Sequence, residues 1–395
     1  MEATNAPVSR IDRGFMTGGI VLLVIGAIAS VVGLMGSEHM MESLAHSYMF
    51  AWVFWACMTF GCFGLSLLFH VTRGRWGTPV LRIFEAGGGP VALAVTFLAL
   101  IPAVTVFKET LYGGWLHPAS TDQILLNKAA YLNYPFFMVR IAVYAAVMIG
   151  FSMALRNWTR LEEKTGDKKW SDKRNNWAAP GIVVFVIVLN FMMTDLVMSL
   201  DPHWYSTMYG VWFAVGSALG AMGLATAIVA SQSKKAPYAG VVDDQMKKDF
   251  GNLLLMLTML WAYFGFSQFL IIWSGNLPEF ISYYVNRSRG AFNFVGMIMI
   301  IGQFFIPFLL LLSPRVKRVV GFLAFVGGWI FVMRVFDMYY TMMPFFRDSA
   351  MPHIADIGLL LAIGGLWFLQ FGMQFKTASP ITPAHPYLKE ALDHA

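Results

Sequence analysis

Ten apolar runs, each long enough to cross a bilayer, succeed one another along the chain with short polar connections between them. They cover 14–36, 47–71, 88–108, 133–155, 179–200, 206–230, 249–275, 290–312, 316–341 and 354–375. A bilayer span takes about 20 residues. Hydrocarbon leaves no partner for a free backbone amide, so runs of this length predict helices. The expected fold class is all-α: a polytopic membrane protein with ten transmembrane helices in 14–375, preceded by the segment 1–13 and followed by the tail 376–395. Only 13% of the residues are charged, about half the share in soluble domains. The longest connections, 109–132 and 156–178, are too short for a second domain. No small-residue cleavage site ends a short apolar region near the start, so no cleaved signal peptide is expected.

Lysine and arginine set the expected orientation. Of the 28, 21 fall on the side holding the amino terminus, five on the other, and two, Arg140 and Arg334, inside runs. The bias holds loop after loop, which predicts both termini in the cytoplasm. It also accounts for the net charge of +6 without nucleic acid as a partner.

The stretch MMTDLVMSLDPHWYSTMYGVW, residues 192–212, breaks this apolar pattern. Asp201 and Pro202 suit a helix start, an acid at the cap followed by a proline whose missing N–H costs nothing. Trp204, Tyr205 and Tyr209 suit the headgroup layer. The segment then reads as a short external hairpin. Asp195 is not explained that way. Six residues before Asp201, it lies about 9 Å deeper along a helix. An unpaired carboxylate there is driven toward its neutral form. A buried acid therefore points to proton handling with a partner, against a structural acid satisfied by hydroxyls. His203 could pass protons between Asp195 and Asp201, since histidine titrates near neutrality.

Two further sets of charges lie within the runs. Arg334 and Asp337, three residues apart, share a helix face toward the outer end of the ninth run. Arg140 lies about two turns below the outer end of the fourth run and needs an acid, a carbonyl or a ligand oxygen. His117, His353 and Glu279 fall in outer connections, His70 and Glu85 near the inner face. Each of these reads equally as an ordinary interface residue.

Several chemistries lack their residues. Cys57 and Cys62 are the only cysteines, so there is no four-thiolate cluster and no c-type haem attachment motif. No phosphate-binding loop occurs. The run Gly87, Gly88, Gly89 reads as a tight turn into a helix, and Gly216, Gly220 and Gly223 as a packing face. No cofactor or metal is expected in the chain itself.

Three segments carry a resemblance: DQILLNKAAYLNYPFFMVR at 122–140, TDLVMSLDPHWYSTMYG at 194–210, and the run from 252 to 287 that begins NLLLMLTMLWAYFGFSQFLIIWSGNLPEFISYY. In order and spacing the chain resembles the NrfD/PsrC-like integral membrane subunits of respiratory complexes. Within them it looks nearest to the F subunits of bacterial alternative complex III, a quinol:electron-acceptor oxidoreductase. The resemblance implies two four-helix bundles plus peripheral helices in a bacterial cytoplasmic membrane. It implies a second NrfD-like subunit, an iron–sulfur/molybdopterin-like subunit and c-type haem subunits as partners, which hold the haem c and iron–sulfur clusters. Quinol oxidation is associated with the sister subunit, and the F subunit is proposed to help move protons. Carried over to this chain, the buried acid is Asp195, the hairpin residues are Asp201 and His203, and the external turn is Asn276, Pro278 and Glu279. No complete quinone pocket can be matched, although a bound quinone or lipid is compatible with the family. A proton-coupling subunit and a purely structural scaffold both fit the sequence. A standalone secondary transporter would need discontinuous helices in matching halves.

Overall fold

Among the residues described by the computed structural model, 10–239, 241–376 and 381, ten helices are long and apolar enough to cross a membrane. They are α1 Ile11–Met35, α2 Met40–Thr72, α3 Leu81–Thr105, α4 Tyr134–Thr165, α5 Lys169–Leu200, α6 Tyr209–Gln232, α7 Asp244–Gly275, α8 Phe292–Leu312, α9 Val320–Phe345 and α10 Ile354–Lys376. The chain is an all-α polytopic membrane protein. Most of the tail, Lys389 included, and residues 1–9 lie outside the described residues.

Helix contacts close into two rings. In the first, α2 packs on α3, α3 on α4, α4 on α5 and α5 back on α2; in the second, α6 packs on α7, α7 on α8, α8 on α9 and α9 back on α6. These are two consecutive four-helix bundles. They join mainly along α2 and α6, where Gly61 is indispensable: a methyl there would lie 2.0 Å from the Ser217 carbonyl oxygen. The helix α2 is accordingly buried along most of its length. The remaining pair, α1 and α10, packs together at the periphery, with α10 leaning on α2.

Lipid is as apolar as leucine, so close backbone approach rather than apolar burial drives such packing. Gly19, Gly26 and Gly33 of α1 recur every seventh residue; Gly19 faces Gly365 of α10, Gly26 faces Gly358 and Ala362, and Gly33 faces Ala355. A methyl on Gly26 would sit 2.3 Å from the Ala362 amide nitrogen. The opposite face of α1, with Val24, Ile28 and Val32, is left exposed to lipid.

Local chemistry ends the helices. Asn133 caps α4 by accepting the Phe136 N–H at 3.0 Å, and Asp243 caps α7 by accepting that of Met246 at 2.7 Å. Gly89 is extended and interrupts α3 before Pro90 restarts it. A methyl on Gly88 would strike the Phe63 backbone of α2, so these glycines serve a close crossing as well as a turn. The expected connection 156–178 is mostly helix instead. The helix α4 runs on to Thr165, turns through Gly166 at φ 66° and passes into α5 at Lys169. Buried Arg174 and Glu162 clasp this hairpin.

Each end of the molecule gathers the residues that the charge bias assigns to it. Arg75 meets Asp243, Arg82 meets Glu163 and Lys317 meets Asn252 at one end. Lys128 meets Pro202 and Arg347 meets Asp356 at the other.

Candidate functional site

Each bundle buries one aspartate against an arginine. In the first, Asp195 of α5 is 0% exposed and Arg140 of α4 is 8% exposed. Arg140 Nε donates to Asp195 Oδ2 at 2.7 Å and Nη2 donates to Oδ1 at 3.1 Å. This bidentate fork is the strong form of the interaction. The Tyr144 hydroxyl donates to Oδ2 at 2.7 Å. Arg140 Nη1 donates to the Tyr131 carbonyl at 2.8 Å, and the guanidinium lies 3.9 Å from the Tyr131 ring centre and 4.5 Å from that of Phe136. Asp195 thus has the partner that its burial called for. Its partner is the arginine that needed an acid or a carbonyl, and Arg140 has both. At the adjoining membrane edge, burial and then the Asp195 charge push the Tyr131 phenol up to about 12.

The segment above this pair differs from expectation. Asp201 caps no following helix: it ends the short 3-10 turn Met198–Leu200, and α6 begins only at Tyr209. Pro202 lies in the irregular stretch between them. The cause is Trp204, which is 1% exposed rather than at the wet interface. It stacks on Tyr283 with ring centres 4.2 Å apart and donates its indole N–H to the Phe280 carbonyl at 3.2 Å. Carrying Trp204 onto the helix Pro278–Ser288, which holds Phe280 and Tyr283, draws the chain out as a loop. His203 does not bridge Asp195 and Asp201. Its Nε2 is 2.7 Å from Asp122 Oδ2, in the outer connection. The Leu125 amide and then His203 hold the Asp122 carboxyl below its usual range. Lys128 Nζ donates to the Pro202 carbonyl at 2.7 Å, and burial pushes its ammonium down against the pull of Asp201 and Asp122. The loop is therefore stitched over the Arg140–Asp195 pair from both sides.

The second bundle holds Arg334 and Asp337, 1% and 0% exposed and in direct contact. Since α9 extends from Val320 to Phe345, Arg334 sits near mid-span rather than toward its outer end. The Trp261 indole of α7 donates to Asp337 Oδ2 at 2.9 Å. Room for the guanidinium comes from α6: a methyl at Gly216 would lie 2.5 Å from Arg334 Nη2, and one at Gly220 would lie 3.3 Å from its Cγ. Gly216, read as part of a packing face, thus accommodates a charge. Gly220 and Gly223 behave as packing, where a methyl would lie 2.4 Å from the Met58 methyl of α2 and 2.8 Å from the Gly327 carbonyl oxygen of α9 respectively. Unlike the first pair, this one is not saturated. Arg334 Nε, Asp337 Oδ1 and the Thr258 hydroxyl have no hydrogen-bond partner among the described residues. The same is true of both amide atoms of Gln303, wholly buried in α8 where Ile300–Phe305 winds as a π-helix. Such widened turns are frequent at functional sites.

The turn at Asn276, Pro278 and Glu279 closes one end of the second bundle. Asn276 ends α7 in the left-handed conformation at φ 47°. Pro278 opens the helix Pro278–Ser288, with Glu279 in its first turn. Beneath it lies an apolar recess of about 550 Å³, lined by Phe269, Trp273, Ile281 and Tyr284, with Asn276 and Ser288 as polar edges. Among the described residues no three His, Cys, Asp or Glu gather as metal ligands.

Sequence reasoning missed Tyr144, Trp261 and Gln303. It also missed Asp356, which sits buried at the start of α10 and accepts from Ser47 at 2.6 Å and from Arg347. Only Asp356 carried a signal, as an acid opening an apolar run; the others are common residues in apolar surroundings. Neither a family model nor a curated protein sequence matches the chain.

Proposed function

We propose that this chain is a membrane subunit of a quinol:electron-acceptor oxidoreductase of the alternative complex III type, and that it assists proton movement coupled to quinol oxidation. It would sit in a bacterial cytoplasmic membrane with both termini inside. In this reading the redox groups, haem c and iron–sulfur clusters, belong to partner subunits, and the electrons pass through those. The resemblance of three segments supports the family. The observation that carries the proton role is the unsaturated Arg334–Asp337 site. A carboxylate oxygen, a guanidinium nitrogen and the Gln303 amide stay uncommitted near mid-span, where an ionisable group marks a proton or ion path by default. Asp195 is the second candidate, with Arg140 as its partner and His203 outside its reach. The recess at Tyr284 and Asn276 has the size and aromatic lining that suit a quinone head or a lipid.

One observation favours the scaffold reading for the first bundle. The Arg140–Asp195 pair engages both carboxylate oxygens and is a complete structural clasp.

Purification in mild detergent tests the assignment: haem and iron–sulfur subunits should co-purify, and a chain isolated alone would refute it. Neutral pairs then separate proton handling from scaffolding. R334Q/D337N and R140Q/D195N keep hydrogen-bonding shape and remove both charges. In sealed vesicles, loss of quinol-dependent proton release with intact assembly supports the role for that pair. Parental proton release and electron transfer across pH make the pair structural.

A further inference from the structure

A second polar site lies at the end of the molecule that carries most of the lysine and arginine. The first turn of α3, the last turns of α4 and the end of α10 enclose a recess of about 70 Å³. One water needs about 10–15 Å³ by this measure, so the recess takes about five waters or a single phosphate group.

Its charges do not balance. Arg82 holds both Glu85 and Glu163, and the second oxygen of Glu85 accepts from Thr159 at 3.3 Å. Arg156 and Arg160 also line the recess, and neither forms an ion pair among the described residues. Arg156 Nη1 is buried with no hydrogen-bond partner. Three guanidiniums against two carboxylates leave one positive charge uncompensated. Arg160 is exposed and Arg156 half-buried, so an anion can reach the surplus charge from the surface, and the buried Arg156 Nη1 is the donor left without an acceptor.

The depth identifies the anion. Trp158 lies between the two arginines on α4, 6.4 Å from Trp177 of α5 by ring centres, and tryptophan marks the headgroup level. One turn deeper on the same face of α4, at the i, i+3, i+7 spacing of Met153, Arg156 and Arg160, Met153 is exposed to lipid. The face thus runs from an apolar strip to two cations, the order in which an acyl chain and its phosphate are met. We propose that this recess binds the phosphodiester of an anionic phospholipid of the phosphatidylglycerol type, held by Arg156 and Arg160. A diester carries one negative charge near neutrality, which matches the single uncompensated cation. Guanidinium forks suit its oxygens.

The full chain purified in mild detergent gives the test, by native mass spectrometry with added phosphatidylglycerol, phosphatidylethanolamine or inorganic phosphate. One phosphatidylglycerol per chain should be retained over the zwitterionic lipid. Arg160→Gln should weaken retention about fivefold and R156Q/R160Q about twenty-five-fold, from the usual contribution per basic residue at an anionic surface. Lys164→Gln, a neighbouring exposed lysine, should change nothing. Circular dichroism and size exclusion establish that each variant is folded, and Arg160→Lys provides a milder change if the double variant is not. Unchanged retention in Arg160→Gln, equal loss in Lys164→Gln, or displacement of the lipid by millimolar inorganic phosphate would each overturn the proposal.

Discussion

Removing Asp195 alone should damage the protein more than removing Asp195 and Arg140 together. In Asp195→Leu, Arg140 keeps the Tyr131 carbonyl at 2.8 Å and its two aromatic neighbours. It loses both bonds to the carboxylate, and Tyr144 loses its acceptor. An uncompensated buried charge costs about 3–5 kcal/mol. The ring contacts are made in the parent as well and offset none of that, so the loss is about 3–5 kcal/mol. Arg140→Met strands a wholly buried carboxylate with only Tyr144 to solvate it, which costs about 3–5 kcal/mol. The double variant R140M/D195L removes both charges and keeps apolar volume. Its residual cost of about 1–3 kcal/mol is the orphaned Tyr144 hydroxyl, which Tyr144→Phe in the same background should recover. The single losses therefore exceed the double loss by at least about 3 kcal/mol. Reversible unfolding of the purified variants in mixed micelles, followed by far-ultraviolet circular dichroism, measures all three. Single effects that sum to the double within about 0.5 kcal/mol would show two independent residues and refute the clasp.

Gly216→Val should displace the Arg334 guanidinium and cost more than the about 1–3 kcal/mol of simple overpacking, whereas Gly113→Ala, next to open space, should be silent; unfolding midpoints compare them. Arg334→Leu and Asp337→Leu should likewise be non-additive, because a half-pair is dearer than none. Tyr131 gives a pH signature: its folded value of about 12 lies above the ordinary 10.0, so its contribution to stability is whole below pH 10 and lost as pH rises from 10 to 12. Ultraviolet titration of tyrosinate, with Tyr131→Phe as the control, should show one late-ionising phenol removed by the substitution. Reporter fusions after Lys169 and after Glu279 should read opposite sides of the membrane; the same side for both would break the ten-span order.

Hydropathy made the ten spans legible because lipid enforces one rule on every residue it touches. It lost sight of helices once they left the hydrocarbon. The turns of α4 and α5 around Arg160, Glu162 and Arg174 are polar but still helical, held by their own ion pair. The hairpin at Asp201 and Pro202 had the local grammar of a helix start, and a distant stacking partner, Tyr283, overruled it by capturing Trp204. Arg140, Asp195, Arg334 and Asp337 were visible one by one, since a charge in an apolar run cannot hide. Which acid belonged to Arg140 was not, because the pairing is made 55 residues apart by helix packing. The glycine at 216 read as contact surface for the same reason: nothing local says that an arginine fills the space it leaves.

The glycine-lined seam between α1 and α10 joins the earliest-made span to the latest of the ten. At about 5–20 residues per second, α1 waits roughly a quarter of a minute to a minute for its counterpart to be synthesised. Over that interval its narrow glycine stripe faces lipid, while both four-helix rings can already close without it. The seam is then the final step of assembly in the bilayer, a latch that shuts only on a chain read through to α10. A ribosome that stalls after α9 has emerged and before α10 leaves two finished bundles and one unlatched helix, with its small-residue face open to a membrane protease.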